Sequence, residues 1–190
     1  MEKENYPLII TPDITVNLFV HPNITLKGTT KEKIVKTIIE KNNDEFDSIV
    51  LDRDGILCDA IGTEYVEGER KAVARLRELA DEEIDRRMSK LAESGCRNFF
   101  EYNLTNTRGD MIKPTLLFFL SRNLTRASDK CLWNLSVLAK AIGLFVFFCE
   151  PEDGEICCNL LGSSYLDITA NENESYITEH LVTVDKPITL

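Results

Sequence analysis

Asp52 and Asp54 stand two residues apart in SIVLDRDGILCD, the stretch from Ser48 to Asp59. The apolar run Ile49–Leu51 reads as a buried strand, and Asp52–Gly55 as the loop leaving its carboxyl end. That is where open α/β sheets hold their ligands. Two carboxylates spaced i, i+2 in such a loop can point at one site, and a glycine after them lets the backbone turn sharply. The competing reading of D-x-D-G is a plain turn between two strands, hydrogen-bonded by its own aspartate side chains.

The elements that would position these acids follow from periodicity. Ile14–Val20 reads as a strand, followed by a loop punctuated by Pro22 and Gly28. Thr29 or Thr30 can cap a helix over about Lys31–Lys41, whose Ile34, Val35, Ile38 and Ile39 share a face. After the Asp52 strand, Ala60–Gly68 could form a flap or hairpin over the site. Glu69 to about Glu93 is strongly helical, with Gly95 as its C-cap. Arg97–Leu104 then reads as a second strand, parallel to the first through a right-handed crossover and ending at Thr105-Asn106. Ile112–Leu120 reads as a helix with Pro114 in its first turn, a strand being the alternative. Lys130 opens a helix that Gly143 ends, and Leu144–Phe148 is a continuous apolar strand suited to the middle of a parallel sheet. Glu150, Glu152, Asp153 and Glu155 follow it. A further apolar run, Ile156–Leu161, leads into GSSYLDI, which contains Asp167.

Composition bounds the function. The chain has 190 residues, 43% of them hydrophobic and 28% charged, the usage of an ordinary globular domain. A formal charge of −10 argues against a nucleic-acid backbone or an anionic membrane as partner, and favours cations. No apolar run reaches the length of a membrane span, and MEKENYPLII lacks the features of a signal peptide. The six cysteines (Cys58, Cys96, Cys131, Cys149, Cys157, Cys158) include no C-x-x-C pair and sit mostly in apolar runs, so we expect free thiols in a cytoplasmic protein. Five N-x-S/T sequons, at Asn23, Asn103, Asn123, Asn134 and Asn173, read as coincidental on these grounds.

In this order the pieces resemble the four-motif pattern of the haloacid dehalogenase-like hydrolases, most of them magnesium-dependent phosphatases. LDRDGILCD is close to the first motif, and the resemblance spans roughly Phe46 to Asp167. It implies an α/β domain over residues 46–190, with a mostly parallel sheet, helices on both faces, and residues 1–45 as an N-terminal strand–helix extension. It implies a phosphohydrolase in which Asp52 attacks phosphorus to form an aspartyl-phosphate and Asp54 acts as general acid–base. Thr105 would hydrogen-bond a phosphoryl oxygen, and Lys130 would neutralise charge on the nucleophile and the phosphoryl group. Mg²⁺ would bind at Asp52 and Asp54 with a later carboxylate, Asp153 or Asp167. The fourth motif departs from the pattern: Cys149 or Ser163, according to register, stands where its first aspartate belongs. That implies an imperfect metal site and a hydrolase that could be degenerate.

The implied partner is a small phosphorylated substrate, or else a protein. The competing account is a non-catalytic α/β interaction or regulatory module, an α+β fold of roadblock or profilin-like shape. There VLDRDGILCD would be a strand–turn–strand hairpin. The two accounts differ at one place: whether Ile56–Ala60 pairs antiparallel with Ile49–Leu51 or leaves the sheet.

Overall fold

The computed structural model describes residues 6–18, 20, 23–53, 55, 57, 63–106, 110–120, 135, 137–138, 141–149, 165–171 and 175–180. Nine strands and three complete helices occur among them. The order is β1 (Pro7–Thr11), β2 (Ile14–Asn17), β3 (Asn23–Lys27), α1 (Lys31–Asn42), β4 (Asp47–Asp52), β5 (Thr63–Tyr65), α2 (Glu69–Ser94), α3 (Phe99–Thr105), β6 (Thr115–Leu120), β7 (Leu144–Cys149), β8 (Tyr165–Ala170) and β9 (Ser175–His180).

β1 and β2 form a small antiparallel hairpin, and the other seven strands form one sheet in the order β5-β4-β6-β7-β3-β8-β9. Every pairing in that sheet is parallel except β8 with β9. The α/β reading with a mostly parallel sheet therefore holds. β4 is hydrogen-bonded on one side to β5 and on the other to β6, so neither edge is left for an antiparallel hairpin with Ile56–Ala60. That removes the roadblock or profilin-like alternative. β3 and α1, drawn from the stretch expected to be an extension, are built into the sheet and its core, with β3 between β7 and β8.

The two faces are written in the alternation of the strands. On one, Leu26, Val50, Phe118, Phe145, Phe147 and Ile168 pack under Ile34, Val35 and Ile38 of α1, Phe99 and Phe100 of α3, and the β1–β2 hairpin. On the other, Leu51, Leu117, Phe119 and Val146 pack under Ala72, Leu76 and Ala80 of α2 and under Leu135 and Ile142, which lie in the helical stretch before β7. β6 is buried at every position, as expected of a strand covered on both sides, and its Phe118 ring packs 4.6 Å centroid to centroid from Phe147 of β7.

Two element assignments are corrected. Residues Phe99–Thr105 form helix α3, not the second strand expected over Arg97–Leu104. The Asn98 side chain accepts the Glu101 N–H, and Glu101 in turn accepts the Arg97 N–H, a reciprocal cap that satisfies two otherwise orphaned donors. The pair Asn98-x-x-Glu101, just after the Gly95 C-cap, was the available signal. The second strand is β6, from the stretch first read as a helix; Pro114 precedes it rather than opening a helical turn. α1, β4, α2 and β7 stand where periodicity puts them, to within one or two residues. β2 ends three residues short of the strand expected over Ile14–Val20, and β1, β3, β5, β8 and β9 come from stretches not read as strands. Gly95 ends α2 in the left-handed conformation, with its N–H on the carbonyls of Ala92 and Leu91. Thr30 sits at the α1 cap position but makes no side-chain cap bond.

Helix α2 has 26 residues and is ~39 Å long, nearly twice the ~20 Å of a six-residue strand. It starts at the carboxyl ends of the strands, crosses the second face and overruns the amino ends. Leu91, four residues beyond Arg87, belongs to the core of the first face. At the crossing, Arg87 is fully buried. Its guanidinium donates to the carbonyls of Lys113, Ile142 and Gly143, to Thr115 Oγ1 and to Glu83 Oε2. These bonds engage all three guanidinium nitrogens and tie the helix to the starts of β6 and β7.

Candidate functional site

The parallel strands β4, β6, β7, β3 and β8 all end on one side of the sheet, and that rim is where a ligand crevice would lie. Asp52 is the last residue of β4 there, but it is completely buried. Its Oδ2 accepts the Leu57 N–H at 2.6 Å, and Gly55 turns the chain between them with φ 67°. Its backbone carbonyl accepts the Val66 N–H at 3.1 Å, while the next residue, Arg53, donates its N–H to the Leu120 carbonyl at 3.0 Å. The carboxylate therefore braces the chain that follows it through the Leu57 N–H. Asp54, Lys130 and Asp153 lie outside the described residues.

Thr105 does not join Asp52. It is the last residue of α3, and its hydroxyl donates back to the carbonyls of Glu101 and Tyr102, 3.1 and 3.0 Å away. The helix turn before it is clamped to the chain that enters β6. Asn103 Nδ2 donates to the Ile112 carbonyl and Asn103 Oδ1 accepts the Ile112 N–H, both at 2.8 Å. Thr105 is thus at the amino-terminal end of the sheet, about a strand's length, ~20 Å, from Asp52. Its expected role depended on a strand that is a helix.

Asp167 lies on β8 at the carboxyl side, four strands from β4 in the order β4-β6-β7-β3-β8. At the usual strand spacing that separates Asp52 from Asp167 by ~19 Å, so one Mg²⁺ cannot be shared by both. Among the described residues no three His, Cys, Asp or Glu side chains come together to hold a metal ion. Of the four expected ligands, the two described, Asp52 and Asp167, do not share a site.

What the rim does bring together is a polar strip on β3 and β8. Thr25 Oγ1 donates to Asp167 Oδ1, and Lys27 Nζ is 3.4 Å from Asp167 Oδ2. Thr25 is fully buried and Asp167 is 8% exposed, so the carboxylate is held by partners rather than by water. Beyond Lys27 the chain turns through Gly28 (φ 94°), Thr29 and Thr30 into α1, and the Thr29 N–H donates to Asn171 Oδ1 at 3.2 Å. Sequence reasoning picked out Asp167 but not these partners. Thr25, Lys27 and Asp167 sit on alternate positions of two strands, and only the strand pairing makes them neighbours.

No protein-family model and no curated protein matches this sequence. Its fold is similar to that of several solved structures. The conjugation coupling protein TcpA of pCW3, in a monomer form with ATPγS, superposes over 92% of this chain with a TM-score of 0.65 at 16% identity. EssC of Geobacillus thermodenitrificans, a structure of its ATPases 2 and 3, gives 0.65 over 90% at 12% identity. EccC of Thermomonospora curvata, again ATPases 2 and 3, in complex with a signal sequence peptide, gives 0.54 over 89% at 12% identity. This chain spans 56%, 37% and 34% of those three chains, so it corresponds to part of each. The resemblance to haloacid dehalogenase-like hydrolases is thereby overturned. The first motif that carried it belongs to strand β4 and the chain after it, in an α/β fold like that of these structures, and a magnesium-dependent phosphatase acting through Asp52 is withdrawn with it.

Proposed function

We propose that this chain is an ATPase-fold domain of the FtsK/SpoIIIE-like kind, related to the secretion and conjugation ATPases it resembles, that has lost nucleotide chemistry. The observation that carries the reading is the turn between β3 and α1. P-loop ATPases cradle phosphates in a strand–G-x-x-x-x-G-K-[ST]–helix unit, whose glycines bring backbone N–H groups to the phosphates and whose lysine reaches them. Here β3 is a central strand and passes to α1 through Gly28, Thr29 and Thr30 alone. None of the nine glycines in the chain is followed by lysine, so the motif stands nowhere else either. Three residues cannot wrap a triphosphate as the eight-residue motif does.

A domain of this kind keeps the fold for assembly and for contact with cargo, and leaves hydrolysis to other modules. The EccC structure holds a signal sequence peptide, which makes a protein segment the partner class to expect. The reading puts the domain on the cytoplasmic side, as for the EssC and EccC domains it resembles. No helix among the described residues is long and apolar enough to cross a membrane.

The test is titration of the purified chain with a fluorescent ATP analogue, with and without Mg²⁺, beside a phosphate-release assay. The expected outcome is no saturable binding at millimolar nucleotide and no release above buffer. Saturable, Mg²⁺-dependent binding with turnover would overturn the reading.

A further inference from the structure

We propose that β8 closes the β3–α1 turn against anions, an autoinhibitory contact built from Asp167 and Asn171. The inference rests on the reading of this rim as a phosphate-binding turn that has been lost. In the parallel β3–β8 ladder Thr25 stands opposite Asp167 and Lys27 opposite Thr169. Continued by one more step beyond both strands, that register sets Thr29 opposite Asn171, and the Thr29 N–H donates to the Asn171 side chain. Thr25, Lys27 and Thr29 thus occupy alternate positions, and each is held by a residue of β8 or just after it.

The chemistry of those partners is what an anion would otherwise supply. An anion at the carboxyl end of a central strand is held by backbone N–H groups and positive charge. Here the Thr29 N–H is given to a neutral amide oxygen, and the Lys27 ammonium, a quarter exposed, to a carboxylate. Asp167 is itself fixed by the buried Thr25 hydroxyl, so it cannot swing aside for a ligand without losing that bond in a site poor in water. An approaching phosphate would meet a fixed negative charge and a cation already paired. The contact therefore excludes anions by occupying their donors, over and above the shortness of the loop.

The experiment is calorimetric titration of the full chain with inorganic pyrophosphate at low salt. The wild type should show no saturable binding. The Asp167→Asn/Asn171→Ala double variant, with a wild-type thermal melt, should bind at least about tenfold more tightly than the wild type's limit, which is ~1.4 kcal/mol. Adding Lys27→Met should abolish the gain. A folded double variant that binds no better than wild type would overturn the proposal, and so would a gain that survives Lys27→Met. If the double variant does not fold, Asn171→Ala alone, an exposed position, serves: a measurable gain supports the contact and an unchanged titration overturns it. ATP binding by the wild type would sink the loss of nucleotide chemistry instead, while a null in both proteins sinks only the autoinhibitory contact.

Discussion

The two ends of the sheet use polar side chains differently. At the amino-terminal end, Arg87 is saturated by five hydrogen bonds, Asn103 pairs with both backbone groups of Ile112, and Asn42 pairs with both backbone groups of Ile9. Each of these side chains completes backbone bonding that regular structure leaves unmet where the chain changes direction. At the carboxyl-terminal end, Asp52 braces one turn, and Asp167 and Asn171 hold another. That is the end at which a fold of this type works on ligands, yet its Thr25, Asp52 and Asp167 are buried. Buried polar residues are therefore no guide to function by themselves; their position on the sheet and the chemistry of their partners must be weighed together.

Three experiments would break or sharpen this contrast. The largest effect is expected from Arg87→Met, which keeps the apolar stem at a position that was 0% exposed. It removes the guanidinium from the carbonyls of Lys113, Ile142 and Gly143, from Thr115 Oγ1 and from Glu83. The Gly143 carbonyl keeps the Thr115 N–H, and Glu83 keeps Arg86. A loss of about 3–5 kcal/mol in denaturant-measured stability is expected. A loss below ~1 kcal/mol would mean that the amino end is not the rigid one.

Next is Gly143→Ala. Gly143 has φ 71°, and a Cβ there would lie 2.8 Å from the Phe99 ring of α3. Strain and overlap together should cost about 1–3 kcal/mol. An unchanged melting temperature would show that α3 can shift, and with it the packing of the first face.

The smallest effect concerns pH. Burial pushes the Glu83 carboxyl up, but hydrogen bonds and charge from Arg86 and Arg87 outweigh it and hold the group below its ordinary value. A carboxylate depressed in the folded state adds stability above its unfolded pKa, and that stability is lost as pH falls through the folded value. The wild type should therefore lose stability below about pH 4.5, and Glu83→Gln should flatten that part of the profile while costing less at neutral pH than Arg87→Met. Identical acid profiles would detach Glu83 from the Arg87 site.

Much of the fold was legible because the apolar patterns are strong. LFVFF could hardly be anything but a central strand, and the 26-residue α2 was marked by periodicity and by Gly95. The errors fell where short apolar runs have no period of their own. FFEYNL and TLLFFL are both too short to show a period; a cap at Asn98 makes the first a helix, and pairing between β4 and β7 makes the second a strand. The site was less legible. Asp52 has the spacing of a catalytic acid, and only its fully buried contact with the Leu57 N–H shows the role of a brace. Lys27 carried no motif at all, since its neighbour Asp167 is 140 residues away in sequence.

Because α2 begins on one face of the sheet and finishes in the core of the other, neither layer can be peeled away while its opposite survives. Heat or denaturant applied to this chain should meet one cooperative unit rather than two stacked ones. A protease that nicks the helix near its midpoint would disconnect both layers at once.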